Sequence, residues 1–205
     1  MIPFNKFYNI NLILEKKQPS NITTVFIPGS FKPGHRGHWK MVKHYSKIAG
    51  PTGKVFVVIG NPKVEKRLTA HGKEITAATS KKIFEIFEDA TKLGNVKIVV
   101  SDIPSPIKWA SEYAKKNLND PKNSVIFGCS SKDEDVSRYS WLKKWYNKEN
   151  LKFKLEDAEE NAAKPFEDLN ATALRKRIDD EDYVASAMPK ELSKEDISKI
   201  IALLK

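Results

Sequence analysis

Short apolar runs separated by amphipathic stretches are the feature that most limits how this chain can fold. Continuous runs at residues 23–27, 54–59, 96–100 and 124–127 are typical of strands that are covered on both faces. Residues 151–155 alternate apolar side chains with lysines, which predicts a fifth, half-exposed strand. Buried strands of this kind favour a parallel sheet over an antiparallel one.

Segments with helical spacing of apolar residues lie between these runs. The spacing predicts helices over residues 38–49, 75–92 and 133–147, and Ser105 with Pro106 predicts the start of another. The alternation of strands and helices predicts an α/β fold. We expect a Rossmann-like, parallel five-stranded sheet with helices on both faces, followed by C-terminal helices.

Several residues mark where helices are expected to begin and end. Gly94 is predicted to be the C-cap of the helix after the second strand. Asn170 is predicted to cap a helix that runs toward Ile178. Ser193 and Asp196 have the spacing of a capping box, with aspartate in the usual Glu/Gln place, and predict a last helix.

The length of 205 residues fits a single domain over residues 1–205, with residues 1–22 as a lead-in. The only cysteine, Cys129, excludes an internal disulfide bond. The N-terminus lacks the pattern of a signal peptide, and no apolar run reaches the length of a membrane span. We therefore expect a cytoplasmic protein without a membrane span.

The formal net charge of +10 favours anionic partners. Nucleic acid, an anionic membrane and phosphorylated small molecules all meet that description, and a solvated basic surface is an equally good account. The lysines are scattered along the chain, which argues against a nucleic-acid-binding tail, so nucleic acid is not an expected partner. The sequence is compatible with a homo-oligomer as well as with a monomer.

A glycine-rich turn with two histidines, Gly29 to His38, follows the first predicted strand and leads into the first helix. A helix N-terminus offers unpaired N–H groups and the positive end of the helix dipole, so it attracts anions. His35 just before the helix and His38 in its first turn can face one phosphate group and donate hydrogen bonds to it. Two alternatives remain: surface histidines, or a metal pair, for which the other histidines and Cys129 supply no second pair at metal spacing.

A second motif, residues 169–175, lies near the C-terminus. With Asn170 as the cap, Thr172 and Arg175 lie three apart on one helix face, where a hydroxyl and a guanidinium suit the β- and γ-phosphates of a triphosphate. Alone, the same pair is more typical of an ordinary surface helix. The chain has no GxxxxGK[ST] segment and no GxGxxG after its first strand, which argues against a P-loop and against dinucleotide binding.

Both motifs resemble signatures of the nucleotidyltransferase superfamily, which contains the nicotinamide-mononucleotide and phosphopantetheine adenylyltransferases and the cytidylyltransferases. The first resembles the pattern Gly-Ser/Thr-Phe-x-Pro-x-His-x-Gly-His, and the matching positions are Gly29, Ser30, Phe31, Pro33, His35, Gly37 and His38. The second is similar to the pattern Ile-Ser-Ser-Thr-x-x-Arg. Thr172 and Arg175 match, whereas Leu169, Asn170 and Ala171 replace Ile-Ser-Ser.

The resemblance implies transfer of a nucleoside monophosphate from a nucleoside triphosphate to a small phosphorylated acceptor, with release of pyrophosphate. ATP is the preferred donor, because the second motif looks more like the adenylyltransferase version, and CTP is the alternative. His35, His38 and Arg175 would be catalytic, with Lys63 as the favoured match for a basic residue after the second strand. Mg²⁺ would bridge the phosphates with few protein ligands, and residues 168–205 would complete the phosphate site.

The resemblance also implies a set of nucleotide-binding residues: Gly29, Ser30, Phe31, Gly37, Gly128, Ser130, Asp133, Thr172 and Arg67. A purely structural role suits some of these positions as well. Asp133 is at least as good a helix cap, and the charges of Lys63 and Arg67 fit a solvated loop equally well. A rival of another class keeps the fold without the chemistry: a catalytically inactive nucleotide- or nucleic-acid-binding protein.

Overall fold

The computed structural model describes residues 22–62, 67–131, 137–164 and 169–205. Its strands are β1 Ile22–Gly29, β2 Lys54–Ile59, β3 Val96–Val100, β4 Asn123–Phe127 and β5 Lys154–Leu155. They form one sheet in the order β3-β2-β1-β4-β5, and every neighbouring pair is parallel. The predicted α/β, Rossmann-like class with a five-stranded parallel sheet is confirmed.

Seven helices lie in the described part of the chain: α1 Arg36–Ala49, α2 Ala77–Thr91, α3 Pro106–Asn117, α4 Leu142–Lys148, α5 Ala171–Lys176, α6 Glu181–Ala187 and α7 Lys194–Leu204. The predicted caps Ser105 and Asn170 and the capping box of Ser193 and Asp196 are all present. Among these helices none combines the length and the apolar character that crossing a membrane requires.

The end of α2 differs from the prediction. Its C-cap is Lys92, which adopts a left-handed conformation with φ 50°, and not Gly94. The N–H of Lys92 donates to the carbonyl of Glu88 and closes the last turn. Gly94, with φ 77°, instead turns the chain toward β3, where its N–H donates to the Glu88 side chain.

The region after β4 also departs from the predicted helix over residues 133–147. Ser137 is helical, residues 138–141 form turns, α4 runs from Leu142 to Lys148, and residues 132–136 lie outside the described part. Tyr139 lies in these turns, and its buried side chain donates a hydrogen bond to the carbonyl of Gly128 at 3.2 Å. The chain is thereby held against the end of β4 before the helix starts.

The fifth strand is shorter than the predicted residues 151–155. Only Lys154 and Leu155 pair with β4, whereas the side chains of Leu151 and Phe153 are buried in the core beside α3 and α4. Apolar alternation here therefore reflects side-chain burial more than strand pairing. Helix α6 was not predicted at all, although Asp180 caps it by accepting a hydrogen bond from the N–H of Tyr183.

Two apolar clusters cover the two faces of the sheet. The larger one packs α1, α2 and the C-terminal helices on one face, around Trp39, Phe84 and Ile200. The other packs α3 and α4 on the opposite face, around Phe26 and Phe127. Because the C-terminal helices belong to the larger cluster, the position of α5 is fixed by the core.

Gly53, just before β2, lies where no side chain fits. A Cβ atom there would lie 2.2 Å from the carbonyl oxygen of Ala49 and 2.6 Å from that of Thr23. Since both atoms belong to the backbone, we expect Gly53→Ala to lower the free energy of unfolding by about 1–3 kcal/mol. Urea unfolding would measure it, with Thr52→Ala, at an exposed neighbour, as the control; equal stability of the two variants would contradict the prediction.

The sheet order places the carboxyl ends of β1 and β4 side by side. Strand β1 pairs with β2 on one side and with β4 on the other, so the connections leave in opposite directions. The N–H of Gly128 still donates to the carbonyl of Phe26 at 2.7 Å, after which the two chains separate. Ligands of open parallel sheets bind in the crevice at such a point.

Candidate functional site

His35 is the N-cap of α1, at the carboxyl edge of the sheet. Its backbone is extended, with φ −149° and ψ 171°, and its Nδ1 accepts a hydrogen bond from the N–H of Gly37 at 3.2 Å. An acceptor nitrogen carries no proton, so in neutral His35 the proton is on Nε2. The cap therefore fixes both the orientation and the tautomer of this imidazole.

His38 stacks on His35 in the first turn of α1. The ring centroids are 3.7 Å apart and the rings are inclined by 28°. The Nδ1 of His38 is buried and has no hydrogen-bond partner in the described part of the structure. A buried unpaired N–H is costly, which favours a bare Nδ1 and a proton on Nε2 here too.

Electrostatics keep His38 neutral. Burial lowers the pKa of His38 well below its ordinary value, and the proximity of His35 lowers it further. A neutral imidazole with its proton on Nε2 is a hydrogen-bond donor that has no net charge of its own. The pair can thus donate to phosphate oxygens and gain strength as negative charge grows on them.

Phe31 supports the histidine pair from the other side. Its ring meets the His38 ring edge to face at 5.0 Å and the Phe84 ring at 5.3 Å. The residue adopts a left-handed backbone with φ 49°, and a Cβ on Gly29 would lie 2.6 Å from its ring. Gly29 therefore makes room for Phe31, which in turn packs against His38.

The second motif reaches the first through Arg175 on α5. Its guanidinium donates to the carbonyl of Lys32 at 2.6 Å and to the Oγ1 of Thr172 at 2.9 Å. Burial lowers the pKa of Arg175, and the positive charge of Arg67 lowers it further. Two guanidinium groups held this close favour an anion between them.

Arg67 is brought to α5 by a hairpin. Leu68 and Glu74 form an antiparallel bridge, and the N–H of Ala70 donates to the carbonyl of Arg175 at 3.0 Å. At the tip, the Nε2 of His71 lies 2.9 Å from an Oδ1 of Asp179. These contacts fasten the hairpin to the C-terminal helices, so Arg67 and Arg175 are positioned together.

These elements surround a cavity of about 500 Å³. All predicted site residues that the structure describes line it: Gly29, Ser30, Phe31, His35, Gly37, His38, Arg67, Gly128, Ser130, Thr172 and Arg175. The other two predicted residues, Lys63 and Asp133, lie outside the described part of the chain. The geometry thus brings the two sequence motifs and the ends of β1 and β4 into one place.

The cavity also contains residues that the sequence did not indicate. Lys32 occupies a variable position of the first motif, Tyr139 lies within the predicted helix over residues 133–147, and Lys164 lies in a segment without a recognisable pattern. The parallel bridge between Ser130 and Ala163, which lies directly before Lys164, brings that lysine to the end of β4. Such an approach depends on tertiary pairing, so no local signal could have revealed it.

The charge of the lining is entirely positive. Lys32, Arg67, Arg138, Lys164 and Arg175 contribute to it, and the described lining includes no carboxylate. No group of three or more His, Cys, Asp or Glu side chains suited to a metal occurs in the described parts. The cavity therefore fits a polyanion, and its donor set offers Mg²⁺ no oxygen-rich cage.

Tyr45 holds the floor of the cavity. Its hydroxyl donates to the carbonyl of Cys129 at 3.0 Å and accepts from the N–H of the same residue at 2.9 Å. A Cβ on Gly128 would lie 2.7 Å from the Tyr45 ring. Helix α1 and the loop after β4 are therefore joined through Tyr45.

The lowered pKa of His38 predicts a pH dependence of stability. The unfolded chain takes up a proton near the ordinary pKa of about 6.5, whereas folded His38 stays neutral to lower pH. The stabilising contribution is complete above that pH and is lost as the pH falls toward the folded pKa, by at most about 1.4 kcal/mol per pH unit. Urea unfolding between pH 7.5 and 5 would measure it.

The matched variant for this measurement is His38→Gln, which cannot titrate. We expect the decline in unfolding free energy below pH 6.5 to be shallower in the variant than in the parent protein. Identical slopes in the two proteins would show that His38 titrates normally in the folded state.

No protein-family model matches this chain, and no curated protein matches it significantly. What the cavity binds is therefore inferred from its own residues.

Proposed function

We propose that this chain is a nucleotidyltransferase that moves a nucleoside monophosphate from a nucleoside triphosphate to a small phosphorylated acceptor and releases pyrophosphate. The observation that carries the proposal is the convergence of the stacked His35 and His38 with Arg175 in one positively charged cavity. Both sequence motifs meet there, although 143 positions separate Lys32 from Arg175. ATP is the preferred donor and CTP the alternative.

The proposed reaction is an in-line displacement at the α-phosphorus. An ionised oxygen of the acceptor phosphate forms the new bond, the bond to the β-phosphate breaks, and its electron pair leaves on pyrophosphate. The Nε2–H groups of His35 and His38 donate to the non-bridging α-phosphate oxygens, where negative charge accumulates. Positioning and charge stabilisation of this kind supply most of the catalysis in phosphate transfer, and no covalent intermediate is needed.

The remaining lining residues fit the other phosphates. Arg175 and Thr172 would hold the β- and γ-phosphates, and Arg67 would approach the same group from the hairpin. Gly29 at the end of β1, Ser30 after it and the N-terminus of α1 would offer backbone donors near the α-phosphate. Lys63, in the undescribed segment after β2, remains a proposed contact of the acceptor.

Mg²⁺ belongs to the proposal as a companion of the triphosphate. Since the described lining has lysines and arginines in place of carboxylates, the protein would contribute few ligands, and the phosphates themselves would hold the ion. When bound there, Mg²⁺ would neutralise part of the phosphate charge. The side chains described above would orient the phosphates.

A pyrophosphate-release assay tests the proposal. The four ribonucleoside triphosphates would each be combined with a panel of phosphorylated acceptors, in the presence of Mg²⁺. We expect release with one donor, ATP first and CTP second, and only when an acceptor is present. Release without an acceptor would indicate a hydrolase and would contradict the proposed transfer.

The same preparation distinguishes the rival binding protein. DNA and RNA binding would be measured between 50 and 200 mM salt, because neutralised phosphates give binding a steep salt dependence. If no acceptor yielded pyrophosphate while nucleic acid bound in this manner, the net charge of +10 would be the functional feature and the transferase proposal would be wrong.

A further inference from the structure

A second cavity of about 460 Å³ lies between the ends of β4 and β5 and helix α4. Its walls are largely apolar and aromatic, with Phe127, Leu142 and Leu155 beside the rings of Tyr139 and Tyr146. Pockets of this size with apolar walls and a few polar groups are typical of small-molecule sites. Nothing in the proposed nucleotidyl transfer uses this space.

The charge of the second cavity is opposite to that of the first. Glu156, Asp157 and Glu159 line it, and Lys143 is the one lysine among the lining residues that the structure describes. The chain as a whole carries +10, so this is a local reversal of the general charge. A low-dielectric wall next to such a concentration of charge strengthens its field and favours a cation.

Glu156 is held in place by two hydrogen bonds. Glu156 accepts hydrogen bonds from the Oγ of Ser124 at 2.5 Å and from Lys154 at 2.9 Å. Burial acts to raise the pKa of Glu156, but the hydrogen bonds from Ser124 and Lys154 outweigh it and lower the pKa. Lys154 offsets part of this charge, so Asp157 and Glu159 supply most of the negative field. An Oδ1 of Asp157 also accepts from the N–H of Glu159 at 2.7 Å, which fixes its direction.

The two aromatic rings complete the match to a cation. The Tyr146 hydroxyl donates to the carbonyl of Phe153, and the Tyr139 hydroxyl donates to that of Gly128, so both rings are fixed as parts of the wall. Ring faces attract cations, most strongly those with little hydration. Alkylated ammonium ions combine a positive charge with an apolar surface, which suits a wall of tyrosine, leucine and phenylalanine.

We propose that the second cavity is a binding site for a small organic cation with an apolar body, of the tetraalkylammonium class. Tyr139 lines both cavities, so this ligand would contact a side chain that also borders the polyanion cavity. The site does not depend on nucleotidyl transfer, because none of its carboxylates belongs to the first cavity. An anion or a neutral ligand of the same shape would lack the charge complementarity.

The test uses the full chain and three probes of similar globular shape: tetramethylammonium, uncharged tert-butanol and anionic pivalate. Titrations followed by amide chemical shifts give both the affinity and the location. We expect tetramethylammonium to bind at least tenfold more tightly than tert-butanol, with the largest shifts at Ser140 and Asn147, which line the second cavity. Equal binding of the three probes, or shifts centred elsewhere, would overturn the proposal.

Matched variants separate charge from packing. Asp157→Asn and Glu159→Gln together should weaken tetramethylammonium binding at least tenfold, whereas Glu160→Gln, one position beyond and outside the cavity lining, should leave it unchanged. Tyr139→Leu measures the contribution of the aromatic wall to tetramethylammonium binding, because it removes a ring and no charge. If the double variant and Glu160→Gln bind the cation equally, the inference is wrong.

A last control separates the test of the cation site from the test of the proposed nucleotidyl transfer. His35→Asn should retain cation binding while losing any pyrophosphate release. Cation binding without transferase activity would contradict the proposed function alone, whereas activity without cation binding would contradict the second site alone.

Discussion

Replacing His35 by alanine is expected to lower the turnover of pyrophosphate release by about 10²–10³-fold, the usual effect of removing one donor from a developing negative charge. The imidazole of His35 is oriented for this role, because its Nδ1 accepts a hydrogen bond from the N–H of Gly37. Its ring also stacks on that of His38, with the ring centroids 3.7 Å apart. The Nε2–H group is therefore the hydrogen-bond donor that His35 can offer to a phosphate, and alanine has no such group. Steady-state turnover at saturating nucleotide and acceptor measures the effect.

Alanine also removes the helix cap, so a second variant is needed. Asparagine is among the best N-cap residues, and His35→Asn should therefore keep the stability of α1 while losing the imidazole. His44→Ala is the control on the same helix, because that ring contacts the carbonyl of Asn161 and does not line the cavity. If His35→Asn turned over like the parent protein, the imidazole would have no catalytic role.

Replacing Arg175 by alanine is expected to weaken binding of the nucleoside triphosphate by on the order of 100-fold, as for the loss of a charged hydrogen-bond donor from a buried anion site. The guanidinium is fixed by the carbonyl of Lys32 and by Thr172, and it lies beside Arg67. The KM for the nucleoside triphosphate should rise together with its dissociation constant. Calorimetric titration with a non-hydrolysable triphosphate measures the binding directly.

Two variants show whether the effect belongs to this position. Lys176→Ala removes a neighbouring exposed charge from the same helix and should change affinity little. Arg175→Lys keeps the charge but loses the planar fork, so an intermediate affinity is expected. Equal losses in Lys176→Ala and Arg175→Ala would mean that only the general charge of α5 attracts the nucleotide.

The fold could be predicted from the sequence where local pattern and tertiary burial agree. The first four strands are continuous apolar runs, and their positions match within a few residues. Strands β1, β2 and β4 are largely buried, whereas the edge strand β3 is partly exposed. The fifth could not be bounded, because Leu151 and Phe153 are buried without pairing. The predicted helix over residues 133–147 is interrupted by turns at residues 138–141, where Tyr139 donates a hydrogen bond to the carbonyl of Gly128.

The candidate site was predictable to the extent that its residues lie in two dense local motifs. His35 and His38 follow from their place between the first strand and the first helix, whereas Thr172 and Arg175 follow from the resemblance of the second motif. Lys164 was missed, since it reaches the cavity through pairing of Ser130 with Ala163. The second cavity was equally invisible, because its tyrosines and carboxylates come from separate elements that meet only in the folded chain.

The hydrogen bond from Arg175 to the carbonyl of Lys32 sets the order in which the protein can acquire its site during synthesis. All five strands end by Leu155, yet the contact joins residues 143 positions apart and belongs to helices that complete the larger apolar cluster. A nascent chain can therefore pair its sheet before the first cavity is complete. Conversely, a bound nucleotide would stabilise the C-terminal helices, so ligand and late core formation reinforce each other.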